Sequence, residues 1–259
     1  MSNDVQEYDE NLTTLLEAIW GEGFLSPGGV SEVDRYLAGI NLTNKYILDI
    51  GCGLGGVDIH LTRKHKAKKV VGIDVDPYLI NKCDELARKY GVSERTEFLT
   101  VEPGPLVFDD QTFDIVTSKD SIIHIPDKQS LAIDIHRILQ NAGWFVASDW
   151  LAGYNDEPSL QMQENLIAEG LDFGLASAEQ YHSALESAGF VDIQITDRTE
   201  WYKKQARYER TQLSGLLYDS LATSVGKEFL EHEIDVWDKM IIALDQGQLR
   251  PTHLRARKM

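Results

Sequence analysis

The densest run of chemistry-bearing residues is Asp49-Ile50-Gly51-Cys52-Gly53-Leu54-Gly55-Gly56, which follows directly on the apolar stretch Tyr46-Ile47-Leu48. A strand opening into such a loop lets a ligand touch the backbone, because glycines carry no Cβ and accept positive φ. Gly51, Gly53 and Gly56 satisfy the dinucleotide pattern GxGxxG, and Asp74 closes the next Val/Ile-rich run about 20 residues on, so a nicotinamide cofactor is one reading. Two features favour S-adenosylmethionine (SAM). Asp49 precedes the glycines, where a pyrophosphate has no use for an anion but the cationic amino group of a methionine moiety does. The strand also starts only at Tyr46, whereas dinucleotide domains commonly begin with it. Asp74 is placed to accept both ribose hydroxyls, with Val75 beside it, and Glu102 is offered to an adenine amine. Asp49, Gly51, Gly53, Gly55, Asp74, Val75 and Glu102 are thus the expected cofactor contacts.

Such contacts need a sheet whose strands end together. The sequence offers strands over Tyr46–Ile50, Lys69–Ile73, Thr96–Val101, Phe113–Thr117 and Trp144–Asp149, with helices over 55–65, 77–90 and 128–139 between them. Val- and Ile-rich strands separated by helices imply a parallel sheet covered on both faces. Asp76 reads as the N-cap of helix 77–90, which Pro77 opens. Ahead of this core, Leu12, Leu15, Leu16 and Ile19 repeat at helical spacing over 9–20, and a glycine-rich, lid-like turn over 21–29 breaks the pattern. A second helix over 31–39 has Ser31 as its candidate N-cap. Beyond the core, 158–188 reads as two helices, 190–197 as a strand, 226–245 as a long amphipathic helix and 251–257 as a final strand. The expected fold is α/β: a doubly wound, Rossmann-like seven-stranded sheet, mostly parallel with an antiparallel C-terminal strand, and helical lid segments. Without a Pro/Gly/Ser-rich linker, residues 1–259 read as one domain. Its parts are lid helices (1–44), a cofactor-binding core (45–150), a substrate cap (151–225), and a terminal helix with edge strand (226–259).

At 42 % hydrophobic and 26 % charged, the chain has the make-up of an ordinary globular enzyme. Its formal net charge of −17 repels phosphate backbones, which argues against nucleic acid as substrate and for a small, cationic one; a solubility adaptation is the other reading. No signal peptide or membrane-length apolar run is visible, so a cytoplasmic monomer or homodimer is expected. Cys52 and Cys83 lack a second pair to suggest a disulfide framework or zinc site, and no metal is expected.

The segments Gly21–Gly29, Leu48–Gly56, Gly72-Ile73-Asp74 and Lys119-Asp120-Ser121-Ile122-Ile123-His124 together resemble the phosphoethanolamine N-methyltransferase family, most strongly over residues 20–150. The glycine loop alone would match any class I methyltransferase, while the Ser-x-Gly-Gly turn and the Asp-x-x-x-His segment are more selective. The resemblance implies methyl transfer from SAM to an amine nitrogen, leaving S-adenosylhomocysteine. It also implies Tyr8 as a lid tyrosine, Ser26 as a cofactor contact and Lys119 as a basic residue near the cofactor. Asp120 matches the amine-binding aspartate and His124 the catalytic histidine, so Tyr8, Asp120 and His124 form the expected catalytic trio. Spacing supports Asp120 and His124 independently, since residues four apart on one helical turn share a face. Taken alone, His124 in Ile-Ile-His-Ile-Pro reads more readily as a packing or capping residue.

The chain departs from the family where the substrate phosphate is gripped by tyrosines, an arginine and a lysine: it has Trp150, Leu171, Phe173 and Met240. Losing charged hydrogen bonds worth ~1.5–3 kcal/mol each should abolish phosphate binding. The expected activity is N-methylation of a small amine, of amino acid, amino alcohol or diamine type, with Asp120, Trp150, Phe173 and Tyr202 at the substrate. Trp150, Trp201, Tyr202 and Trp237 offer aromatic faces to a methylated ammonium, or simply pack. Methyl transfer to sulfur or oxygen, or a non-catalytic SAM-binding subunit, are the alternatives.

Overall fold

A computed structural model describes residues 8–171 and 173–259; residues 1–7 of the expected lid segment and Asp172 lie outside the described residues. The apolar runs form five parallel strands: β1 (Tyr46–Ile50), β2 (Lys69–Asp74), β3 (Thr96–Thr100), β4 (Phe113–Lys119) and β5 (Leu139–Ala152). With β6 (Val191–Asp197) and β7 (Leu249–Arg257) they make a seven-stranded sheet ordered β3-β2-β1-β4-β5-β7-β6, in which β7 is antiparallel to both neighbours. Strand order reverses between β1 and β4, and in open α/β sheets ligands bind at the carboxyl ends around such a switch point. Gly51 and Asp120 are the first residues beyond those two ends.

Consecutive residues of a strand feed opposite faces, as the pleat demands. Ile47, Val70, Ile115 and Val146 pack with Val33 and Tyr36 of the helix Gly29–Tyr36 and with Val57 and Leu61 of the helix Gly56–Arg63. In chain order the helices are α1 (Glu10–Trp20), α2 (Gly29–Tyr36), α3 (Gly56–Arg63), α4 (Pro77–Tyr90), α5 (Lys128–Ile138), α6 (Leu160–Glu169), α7 (Ala178–Ser187), α8 (Thr199–Leu213), α9 (Tyr218–Ser224) and α10 (Lys227–Asp245). On the other face Leu48, Val71, Val116 and Ala147 pack with Leu131 and Ile135 of α5 and Tyr181 and Leu185 of α7. Coverage on both sides buries β1 and β4 almost throughout, polar residues included, whereas edge strand β6 alternates half-buried and exposed residues. A separate helical core joins α1, α6, α8, α9 and α10, burying Leu15, Met162, Tyr202, Leu221, Leu230 and Trp237.

The structure corrects several local expectations. Ser31 is not the N-cap of α2: Gly28 takes that position in the left-handed region (φ 82°), and the Ser31 hydroxyl donates to Gly28 O at 2.7 Å. Asp76 does cap α4, accepting from Tyr78 N at 2.7 Å. β5 begins at Leu139 rather than Trp144, because the register slips between Phe113 and Ile115 of β4. Residues 198–225 had no assigned element and fold as α8 and α9. The buried stripe of α8 is Tyr202, Ala206, Glu209 and Leu213, and the carboxylate within it masks the apolar period.

The chain ahead of the sheet is fastened at a close approach. Gly56 N donates to Gly23 O at 3.0 Å, and Gly23 N donates to Glu17 Oε1 at 2.6 Å. A Cβ on Gly56 would lie 2.4 Å from Gly23 O. Gly56→Ala is therefore expected to destabilise the protein by about 1–3 kcal/mol, several degrees in a calorimetric melt. An unchanged melting temperature would mean the turn does not dock as described.

Candidate active site

The glycine loop crosses the switch point with Gly51, Gly53 and Gly55 at φ 70°, 55° and 80°, values that side chains resist. A Cβ on Gly51 would sit 1.6 Å from Ser121 Oγ, so the loop and the turn after β4 touch there. Asp74 holds the loop's shape: its Oδ2 accepts from Gly53 N at 2.9 Å and its Oδ1 from Asp76 N at 3.1 Å. A carboxylate oxygen has two lone pairs, so both remain able to accept a ribose hydroxyl. Val75 beside it is 56 % exposed and Glu102 is exposed, which leaves both open to an adenosine.

Asp49 is 1 % exposed, and neither carboxyl oxygen has a hydrogen-bond partner among the described residues. Asp58 of α3 is in the same position, and the two carboxyls act on each other. Burial, then the neighbouring charge, pushes Asp49 well above the ordinary carboxylate range, and burial lifts Asp58 to about 7. An orphaned carboxylate at the base of a glycine cradle fits the ammonium of SAM's methionine end, so the residues present suit that cofactor. Cys83 closes the loop from behind by donating its thiol to Gly53 O at 2.9 Å.

The other wall is built around Lys119, the last residue of β4. Its buried ammonium donates to Ser26 Oγ (2.7 Å), Pro27 O (2.8 Å) and Asp120 Oδ2 (2.7 Å), using all three protons. Asp120 Oδ1 accepts from Ser148 Oγ at 2.8 Å. Asp120 itself is at φ 57°, and a short 3-10 turn, Ile122–His124, follows. The expected shared helical turn is therefore absent, yet Asp120 and His124 both line one cavity, together with Tyr8 and Ser26. The turn carrying His124 is held from beneath by buried polar groups. Ile123 N donates to Asp149 Oδ1 at 3.0 Å, Tyr181 OH donates to Asp149 Oδ2, and Lys128 Nζ donates to Ile122 O at 2.7 Å and to Ile125 O. Burial raises Asp149 to about 7 and lowers Lys128 to about 8. The His124 ring lies 5.3 Å from that of Phe173.

The cavity, about 140 Å³, extends from this turn to the helical core, where Trp150, Leu171, Phe173, Tyr202 and Met240 line it. Tyr202 OH donates to Glu209 Oε2 at 3.2 Å, and Trp150 packs edge-on against the Tyr202 ring at 4.9 Å. Glu209 also accepts from Trp20 (2.7 Å), Gln205 (3.0 Å) and Trp237 (3.2 Å), so this buried acid orients the aromatic wall. Sequence reasoning missed Glu209, and it missed Glu169, Glu233 and Asn165, which line the cavity. Among the described lining residues the formally charged side chains are Asp120, Glu169 and Glu233, with no lysine or arginine. Away from the cavity, His60 Nε2 and His65 Nε2 each lie 2.7 Å from Asp34 Oδ1, a metal-capable donor set that the sequence reading did not single out. No helix among the described residues is long and apolar enough to cross a membrane.

Residues 48–147 match the family described as "Methyltransferase domain". The chain is 30 % identical over 207 residues to phosphoethanolamine N-methyltransferase 1 of Arabidopsis thaliana, which covers 80 % of this chain and 41 % of that protein. It is 25 % identical over 240 residues to the phosphoethanolamine N-methyltransferase of Plasmodium falciparum (isolate 3D7), covering 91 % of this chain and 87 % of that one. The structure of Haemonchus contortus phosphoethanolamine N-methyltransferase 2, solved with phosphomonomethylethanolamine and S-adenosylhomocysteine, superposes with a TM-score of 0.89 at 22 % identity, covering 98 % of this chain and 59 % of that chain. The chain thus spans less than half the length of the plant relatives it matches. Fold, glycine loop and domain match define a class I SAM-dependent methyltransferase domain. Within that class the chain resembles the phosphoethanolamine N-methyltransferases.

Two measurements test this site. Asp74→Ala removes the acceptor of Gly53 N and Asp76 N and the carboxylate expected to take the ribose hydroxyls, so SAM affinity in calorimetry is expected to fall at least about tenfold; a change under twofold would show the cofactor is placed wrongly. Burial also lifts Asp58, Asp149, Glu169 and Glu233 to about 7. Folded values above the unfolded ones mean that the native state holds protons which the unfolded chain has shed. That stability is complete below the unfolded carboxylate values, about pH 4, and is lost as pH rises through 7. The ligand-free melting temperature is expected to drop between about pH 5.5 and 8 and SAM to restore more of it at the higher pH, where Asp49 and Asp58 carry more charge.

Proposed function

We propose that the chain is a SAM-dependent N-methyltransferase of a small amine, not of phosphoethanolamine, acting in the cytoplasm as a monomer or homodimer without a nucleic-acid substrate. The observation that carries this reading is the charge lining the cavity: three carboxylates and, among the described residues, no cationic side chain. A phosphate dianion there would meet repulsion and no charged donor, whereas a protonated amine meets acceptors. The nearby lysine, Lys119, has its three donors spent on Ser26, Pro27 and Asp120.

Bound SAM supplies a methyl group on a cationic sulfur. Asp49 and Asp74 would hold its two ends across the glycine loop, with Val75 and Glu102 beside the adenosine. Asp120, steadied by Lys119 and Ser148, keeps a lone pair on each oxygen to orient the substrate ammonium. An ammonium has no lone pair, so a proton must leave before the nitrogen can attack; imidazole is the side chain suited to accept it near neutral pH, and His124 faces the same cavity. Tyr8, reaching over from the segment before α1, closes the cavity beside His124 and excludes water. His124 would take the substrate proton first, leaving a neutral nitrogen to receive the methyl group, its N–C bond forming as the S–C bond of SAM breaks.

His124→Ala and Tyr8→Phe are each expected to lower kcat about 100-fold or more with SAM affinity unchanged, while Asp120→Ala chiefly raises KM for the amine. Release of S-adenosylhomocysteine from a panel of amines and phosphoethanolamine is the measurement. Strong turnover of phosphoethanolamine would sink the substrate argument, and near-normal kcat in His124→Ala would make that residue a packing group.

A further inference from the structure

The far end of the cavity is built from the facing sides of α6 and α10. Met162 and Leu166 come from α6, and Val236, Trp237 and Met240 from α10, all apolar. Each helix interrupts its stripe with one carboxylate: Glu169 on α6 and Glu233, which is 9 % exposed, on α10. Among the described residues no hydrogen-bond donor and no cation acts on either acid. Burial raises each to about 7, helped by Glu233 for the first and by Asp9 for the second, so their charged neighbours are acids too. Beside them Asn165, 1 % exposed, turns into the cavity with an amide oxygen that has no partner.

The chain satisfies buried acids elsewhere. Glu209, a short distance away in the same helical core, has four donors around it. Glu169, Glu233 and Asn165 Oδ1 are three acceptors without a donor, a set that costs stability when left alone and that an ammonium, with three N–H groups and a positive charge, would complete. Asp120 supplies an acidic end next to His124, and the wall between the two ends is aromatic and aliphatic, suited to methylene groups.

We propose that Glu169, Glu233 and the Asn165 amide oxygen hold the distal ammonium of a short aliphatic diamine or polyamine whose other nitrogen lies between Asp120 and His124 for methylation. This rests on the amine-methyltransferase reading above and narrows its substrate to dications. A carboxylate at the far end, as in an amino acid, would be repelled by the same two acids.

The test compares 1,4-diaminobutane with n-butylamine on the full chain with SAM, reading S-adenosylhomocysteine release. The diamine is expected to exceed the monoamine in kcat/KM by at least about 30-fold, the worth of one or two charge-assisted contacts. Glu169→Gln and Glu233→Gln should each raise its KM about tenfold and together bring the preference to within about threefold. Met240→Lys, which places an ammonium on the same wall, should erase the preference without removing either acid. Calorimetric affinity for S-adenosylhomocysteine confirms that each variant is folded, and binding of 1,4-diaminobutane to that complex gives a readout free of turnover. Equal use of both amines, or a preference that survives the Gln pair and Met240→Lys, overturns the distal site and leaves amine methylation standing. Turnover of neither amine overturns the amine reading itself.

Discussion

The ammonium of Lys119 ties three parts of the chain together at the end of β4. Burying a charge is expensive unless every proton finds an acceptor, and here Ser26, Pro27 and Asp120 provide one each. Ser26 and Pro27 belong to the N-terminal turn, far from Lys119 in sequence, so the requirement draws that turn over the switch point. The same contacts bring α1 across the cavity, where Leu12, Leu16 and Trp20 form part of its lining. Asp120 is steadied at the cost of a left-handed backbone. Without this junction the cofactor loop, the lid and the histidine turn would be separate pieces of surface.

The helical cap shows two ways of burying an acid. Glu209 is surrounded by donors and acts as a hub that fixes Trp20, Tyr202 and Trp237. That arrangement makes Tyr202 part of a rigid wall with its hydroxyl already engaged. Glu169 and Glu233 sit in the same layer without such support. Charge left uncompensated in a protein interior works against the fold, and where it persists the compensation comes from whatever the cavity receives. The Asp49 and Asp58 carboxyls beneath the glycine loop follow the same logic at the cofactor end.

The core of the fold was legible because its signals are local. Gly51, Gly53 and Gly55 announce positive φ, Asp76-Pro77 announces a helix start, and β1 and β2 carry apolar runs because both faces are covered. Resemblance singles out Asp120 and His124, and both line one cavity, although the helical turn that the spacing suggests is a left-handed residue followed by a 3-10 turn. Ser31 looked like a cap because hydroxyls favour that position, but Gly28 fits the left-handed geometry this helix start requires. Glu169, Glu209 and Glu233 stayed hidden for one reason. An acid on an amphipathic helix reads as solvent-facing, and only the docking of α6 and α8 on α10 turns it inward.

The position of β7 sets an order on assembly. Among the described residues β6 has no neighbour in the sheet except β7, and β7 lies between β6 and β5 although it comes after both in the chain. During synthesis from the N-terminal end, β1 to β5 can pair as they emerge, while β6 waits through α8, α9 and α10 for its only partner. The exposed flank of β5 waits with it, an open edge of the kind that recruits other chains. Register across β5, β7 and β6 therefore depends on contacts between residues far apart in sequence, which become available only when the last strand has emerged.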